Sequence, residues 1–161
     1  MVAPRPGSDR DGMKPHRNRA GATLAELILS ISLLSGAAAI AVPRLIGTRD
    51  EYAARAARDA AAALVDRART LAQLRGSARL RIDPAVGEIR VEAPIGSAVG
   101  APLHTAADWG VVLALSGSPG PAALDFDVRG LGRLANRTLR FQRGGREARL
   151  TLSTYGRVRR W

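Results

Sequence analysis

The most pronounced hydrophobic pattern lies near the N-terminus, where residues 22–42 carry a single charged side chain, Glu26, among 21 positions. A helix of that length would span roughly 30 Å, which is about the thickness of a bilayer core. Residues 1–21 before it are polar, rich in Pro and Gly, and contain five Lys or Arg and two Asp. We therefore predict a basic leader followed by a membrane-spanning helix, with the chain starting at Met1 or at Met13.

Apolar positions then recur at steps of three and four over residues 48–75, with charged side chains between them. This period predicts that the helix continues as an amphipathic half over 43–75, and Gly76 predicts its end. Pro43 lacks a backbone N–H and predicts a kink. The predicted packing stripe, which we expect to lie against a sheet, comprises Tyr52, Ala56, Ala60, Ala63, Leu64, Leu71 and Leu74.

After Gly76 the period changes to two, which predicts β-strands. Residues 94–110 are rich in Pro, Gly and Ala and predict a loop. The predicted strands are 78–83, 88–92, 111–116, 123–128, 138–142 and 148–153, with a short edge strand over 157–161; the first two and the last two long strands form hairpins. The predicted fold is therefore α+β, with a long N-terminal α-helix packed on a C-terminal antiparallel β-sheet domain over 77–161.

The net charge of +11 is unevenly distributed along the chain. Residues 129–161 contain ten Arg and one acid, Glu147, whereas residues 22–128 contain ten Arg and eleven acids. A positive charge concentrated in this way favours a polyanion or an acidic neighbouring subunit as the partner.

Few residue types suited to catalysis are present. The chain has no Cys, which excludes disulfides, thiolate metal sites and cysteine nucleophiles, and its two His, His16 and His104, fall in the predicted leader and loop. Asp125 and Asp127 share one face of a predicted strand, and we interpret them as solvent-facing strand residues. We therefore predict that the protein is not an enzyme and binds no metal or cofactor.

Glu26 needs a specific partner, because a carboxylate inside a membrane helix costs about 2.5–3.5 kcal/mol. If the chain is cut after Gly21, the new α-amino group of Ala22 lies one helical turn before that carboxylate. In a packed bundle, the amine of one subunit can then neutralise the Glu26 of its neighbour. An ordinary secretory signal is the alternative, but the apolar segment is too long for one. The larger positive charge upstream predicts a cytoplasmic N-terminus, with the C-terminal domain on the periplasmic side.

Gly21, the following Ala-Thr-Leu-Ala-Glu26-Leu and Pro43 together resemble the class III signal of type IV prepilins. The resemblance implies that a prepilin peptidase cuts between Gly21 and Ala22, that Ala22 is N-methylated and that Glu26 guides assembly. It also implies a subunit held in the inner membrane until it joins other pilins or pseudopilins in a filament. Two positions depart from the family, since Ala22 replaces the usual Phe and Ala25 a more usual Ile.

The C-terminal part resembles the GspH/FimT-type minor pilins, in its Phe-x-x-x-Gly turn at residues 126–130 and in Gly156-Arg157-Val158-Arg159. In the pilus branch this resemblance implies DNA capture during natural transformation, and in the other branch it implies a minor pseudopilin of type II secretion. Trp161 either stacks on a base or packs on the sheet. A solvated basic edge strand and a purely structural minor pilin are the remaining alternatives. The candidate DNA-binding residues are Arg143, Arg146, Arg157, Arg159 and Arg160.

Overall fold

The computed structural model describes residues 23–117, 120–132, 136–153 and 157–161, and it divides into two compact units between Ala39 and Ile40. In the first unit, the described residues form the beginning of helix α1 (Leu24–Arg75), and all their side chains are exposed. The Thr23 hydroxyl accepts a hydrogen bond from the Glu26 N–H at 3.3 Å, which is the role of an N-terminal cap. Helix α1 lies near the N-terminus of the chain, and by length and composition it is long and apolar enough to cross a membrane.

Helix α1 continues through Pro43 into the second unit and ends at Arg75, as the sequence predicts. Gly76 follows with a φ of +87°, a conformation that favours glycine and stops the helix. The kink at Pro43 stays a prediction. Gly21 and Ala22, which flank the predicted cleavage site, lie outside the described residues.

The second unit contains two antiparallel four-stranded sheets in addition to the second part of α1. The first sheet has the strand order β3-β2-β1-β5, and the second has the order β4-β6-β7-β8. The elements are β1 (Ala78–Asp83), β2 (Glu88–Glu92), β3 (Leu103–His104), α2 (Thr105–Trp109), β4 (Val112–Leu115), β5 (Ala122–Phe126), β6 (Arg137–Arg143), β7 (Arg146–Leu152) and β8 (Val158–Arg160). The predicted α+β class, a long helix packed on antiparallel strands, is confirmed.

Small side chains form the face of α1 that packs on the sheets. Its buried residues are Ala53, Ala54, Ala57, Ala61, Ala62, Val65, Ala68 and Ala72. The predicted stripe was wrong in part, because Tyr52 and Leu74 are 78% and 76% exposed, whereas Leu64 and Leu71 are partly buried and pack against the core. Alanines occur on every side of this helix, so steps of three and four residues fit both the predicted face and the observed one. The two faces are offset by one residue along the helix, which is a rotation of about 100°. The sheets supply the larger core residues, among them Leu80, Ile82 and Phe141.

The predicted loop over 94–110 was also wrong in part, since it contains β3 and α2. His104 and Leu103 pair with Glu88 and Ile89 of β2. Thr105 is fully buried, and both its N–H and its hydroxyl donate to the Gly87 carbonyl, at 2.9 and 3.2 Å. Elements of two and five residues are too short to produce a readable period.

Candidate nucleic-acid interface

The solvent-facing side of the second sheet carries a row of large cationic and aromatic side chains. Arg140 of β6 lies opposite Arg149 of β7, and Arg149 exchanges backbone hydrogen bonds of 3.0 and 3.1 Å with Trp161, just beyond β8. Neighbouring strands lie about 4.8 Å apart. The register therefore places Arg140, Arg149 and Trp161 side by side across three strands.

Hydroxyl groups form a second row beside the first. Ser116 accepts a hydrogen bond from the Thr138 N–H at 2.9 Å, and the Thr138 and Thr151 hydroxyls are 3.2 Å apart. Arg159 lies opposite Thr151 on β8. We call the surface made by both rows the basic face. It contains a shallow depression of about 500 Å³, lined by Ser116, Thr138, Arg140, Glu147, Arg149, Thr151 and Trp161.

Trp161 is anchored through its backbone while its ring stays accessible. Its backbone oxygen accepts a hydrogen bond of 3.0 Å from Arg58 of α1 in addition to the one from the Arg149 N–H. The side chain is 66% exposed, and the guanidinium carbon of Arg159 lies 5.8 Å from the ring centre. This geometry allows a cation–π contact between the two side chains. The exposure of Trp161 argues against the packing interpretation, and stacking on a base stays a prediction.

Glu147 is the acid of the basic face. Its carboxylate contacts Nε of Arg149 and accepts a hydrogen bond of 2.8 Å from Gln142. The hydrogen bond from Arg149, and then that from Gln142, hold the pKa of Glu147 below its usual value, and the charge of Arg140 acts in the same direction. Glu147 is therefore ionised at neutral pH and offsets part of the charge of Arg149.

The solvent-facing side of the first sheet provides a contrast, because its charges are balanced. Arg79 binds Asp125 through two hydrogen bonds, Nε–Oδ1 of 2.6 Å and Nη2–Oδ2 of 2.9 Å. These bonds raise the pKa of the Arg79 guanidinium. Arg81 and Arg90 lie opposite each other in the middle of this face. The seven charged residues that alternate outward along its strands are Arg79, Arg81, Arg90, Asp83, Glu88, Glu92 and Asp125.

The structure separates the five predicted DNA-binding residues into two groups. Arg143 and Arg146 pair at the tip of the β6–β7 hairpin, on the side of the sheet that faces α1. Arg143 lies 3.0 Å from Asp50 (Nε–Oδ1) and also donates to the Trp109 carbonyl. The guanidinium of Arg146 lies beside Gly47, where an added Cβ would be 3.4 Å from Nη2. These partners belong to the packing of the hairpin on the helix.

Arg157, Arg159 and Arg160 form the other group, on and beside the edge strand β8. Arg157 and Arg159 are exposed, and the Arg157 N–H donates to the Ser153 hydroxyl at 3.0 Å. Arg160 alternates to the other side of the strand, where its Nε is 3.9 Å from Asp59. A further depression of about 920 Å³ lies there, lined by Asp66, Arg69, Arg157, Val158, Arg159, Arg160 and Trp161. Gly156 of the quoted motif lies outside the described residues.

Arg140 and Arg149, which lie in the centre of the basic face, are not among the residues predicted from the sequence. The signal that identifies them is the symmetry of the hairpin, because each is four positions from one of the two turn residues, Gly144 and Gly145. A two-residue turn therefore places them opposite each other, on the face not occupied by Leu139 and Leu150. Within the described part of the chain, no three His, Cys, Asp or Glu side chains group to hold a metal ion.

Comparison with known proteins supports the fold. No family model matches the sequence, and no curated protein matches it significantly. Two crystal structures of the type IV minor pilin FimU of Pseudomonas aeruginosa PAO1, in space groups P65 and P21, are similar to the chain at 17% identity, with TM-scores of 0.51 and 0.52. The matches cover 66% and 67% of this chain and 91% and 87% of FimU. At this identity the likeness establishes architecture, and the chain has the fold of a type IV minor pilin.

Proposed function

We propose that the chain is a minor pilin-like subunit, inserted in the inner membrane as a precursor and then taken up into a type IV pilus or a related filament. The observation that carries this proposal is the combination of a pilin fold with an unpacked apolar helix. Eleven large apolar side chains from Leu24 to Ile46 are exposed, a surface that requires lipid or other helices around it. Neighbouring pilin helices are the partners that such a fold supplies.

Processing by a prepilin peptidase provides the first test. When the chain is expressed with such a peptidase, mass spectrometry should find a mature N-terminus at Ala22 carrying one methyl group. A chain that stays intact through residues 1–21, or one trimmed beyond residue 42, contradicts the proposal.

Replacement of Glu26 separates processing from assembly. The variant Glu26→Gln should still be cut after Gly21, but it should be depleted from purified filaments because the carboxylate that pairs with a neighbour's α-amino group is gone. Filaments that contain the variant at the wild-type level contradict this role for Glu26.

We further propose that the basic face and the exposed arginines of β8 bind DNA. Arg140, Arg149, Arg157 and Arg159 face solvent in one region, with Glu147 as the acid among them. Guanidinium groups bind phosphate oxygens regardless of base sequence. In this proposal Arg143 stabilises the fold and does not contact DNA, because its side chain is only 25% exposed and is held by both Asp50 and the Trp109 carbonyl, on the side of the sheet that faces α1.

Salt dependence tests this binding. The full chain in a nonionic detergent should bind duplex DNA with a log–log salt slope near about −3.6, which corresponds to about four phosphates. The double variant Arg157→Ala/Arg159→Ala should flatten the slope to about −1.8, since about two contacts are lost. The matched control Arg81→Ala/Arg90→Ala removes the same charge from the first sheet and should leave the slope unchanged. Equal slopes for the two double variants contradict the assignment.

A minor pseudopilin of type II secretion is the alternative for the same fold. That role predicts that deletion of the gene abolishes protein secretion without affecting DNA uptake. The genes on either side distinguish the two cases, since pilus-biogenesis and secretion operons differ.

A further inference from the structure

We infer that the basic face is a site for single-stranded nucleic acid, with Trp161 as the platform on which one unpaired base stacks. This inference rests on the DNA binding proposed above and specifies the form of the ligand. The face combines cations, which bind phosphates, with an accessible aromatic ring. Phosphate binding does not require a ring, whereas stacking of a base does.

Stacking requires a free face of a base. In a duplex, each base is already stacked between its neighbours, and taking one out costs a few kcal/mol. A single strand has no such cost, and every base has a face that an aromatic ring can accept. Trp161, a residue that is 66% exposed, therefore gives a single strand a contact that a duplex cannot use.

The position of Trp161 makes it suitable as a platform. Its backbone is held by Arg149 and Arg58, so the ring projects from a fixed point of the sheet. The same ring borders both depressions that flank β8. Since the Arg159 guanidinium lies over one face of the ring, the base would stack on the opposite face, with Arg149 on the neighbouring strand.

The remaining lining of the basic face suits the edges of bases. The hydroxyls of Ser116, Thr138 and Thr151 both donate and accept hydrogen bonds, so they tolerate different bases. Sheets that present aromatic side chains beside such groups are a recurrent solution for binding single strands. The Glu147 carboxylate contacts Nε of Arg149 and so lowers the net positive charge at that end of the depression.

The experiment compares a single-stranded oligothymidylate with a duplex of the same length, using the full chain in a nonionic detergent. Wild-type protein should bind the single strand more tightly. Trp161→Ala should lower single-strand affinity roughly 5- to 150-fold and change duplex affinity less than about twofold. Trp161→Phe should restore most of the single-strand affinity, because a phenyl ring also stacks. The backbone contacts of Trp161 remain in both variants, and circular dichroism checks that they fold.

Tryptophan fluorescence gives an independent readout of stacking. In a Trp109→Phe background, Trp161 is the remaining tryptophan, and its emission should be quenched by the single strand but not by the duplex. Equal loss of affinity for both DNA forms in Trp161→Ala, or unchanged single-strand affinity, overturns the stacking site and leaves the proposed DNA binding standing. If wild-type protein binds neither form at low salt, both ideas fail together.

Discussion

The ion pair between Asp50 and Arg143 ties the tip of the β6–β7 hairpin to helix α1, and its removal should destabilise the second unit. The two side chains are 17% and 25% exposed, so the pair is neither fully buried nor on the surface. Exposed pairs contribute about 0–1 kcal/mol, whereas loss of one partner of a buried pair costs about 3–5 kcal/mol. We therefore expect Asp50→Ala to lower the free energy of unfolding by about 2 kcal/mol.

Arg143→Ala should cost more, because it also removes the hydrogen bond to the Trp109 carbonyl. That bond adds about 1 kcal/mol, for an expected total of about 3 kcal/mol. The double variant should also cost about 3 kcal/mol, because Asp50→Ala removes no further contact once Arg143 is gone. Additive effects would give about 5 kcal/mol, so the coupling energy between the two residues is about 2 kcal/mol.

Urea unfolding in a nonionic detergent measures these values, with near-ultraviolet circular dichroism of the tryptophans as the signal for the second unit. Two additive single variants would refute the reasoning, because additivity means that Asp50 and Arg143 contribute independently. Duplex DNA affinity, measured where the variants remain folded, should change less than about twofold in Arg143→Ala, in contrast to the loss expected for Arg157→Ala/Arg159→Ala. A loss as large in Arg143→Ala would return Arg143 to the DNA-binding set.

Three further predictions concern stability. Gly144 has a φ of +54° and an added Cβ would overlap the Asp50 carboxylate, so Gly144→Ala should cost about 2 kcal/mol in urea unfolding, whereas Gly145→Ala, with nothing near its Cβ, should be close to neutral. Ala61 is fully buried and Ala63 exposed on the same helix, so Ala61→Leu should lower the unfolding free energy by about 1–3 kcal/mol and Ala63→Leu should not. Because the pKa of Glu147 is lowered in the folded state, its contribution to stability is present above the ordinary carboxyl pKa of about 4.3 and is lost as the pH falls through the folded pKa. The free energy of unfolding should therefore decrease less steeply with falling pH in Glu147→Gln than in the wild type. An identical pH profile for the two proteins would contradict the lowered pKa.

The sequence predicted those elements whose signals are local. The end of α1 follows from Gly76, and the β1–β2 and β6–β7 hairpins follow from alternation around turn residues. The strands' division into two sheets could not be predicted, because alternation shows which side of a strand is apolar and not which strand lies beside it. The buried face of α1 was predicted only in part, because alanine is common on all its sides and only Leu64 and Leu71 of the predicted stripe pack against the core.

The sequence predicts a region rich in arginine, but it does not predict which of these arginines share one face of the sheet. Ten arginines after residue 128 indicated a cationic region, yet the choice among them depended on which face of β6, β7 and β8 each occupies. Arg143 lies apart from the β8 arginines and contacts Asp50, a residue that is far away in sequence, so this separation could not be predicted. The pairing of Arg140 with Arg149 could have been predicted from the symmetry of the hairpin about Gly144 and Gly145, and the register of β6 with β7 shows it.

The attachment of β8 also has a mechanical consequence. The backbone bonds between Arg149 and Trp161 run across the strands, and Arg58 and Asp59 of α1 hold the same segment at Trp161 and Arg160. A pull along β8 loads these links in shear, all at the same time, whereas a pull away from the sheet peels them apart one after another. Under the proposed DNA binding, the resistance of this edge to a pull on bound DNA therefore depends on the direction of the pull.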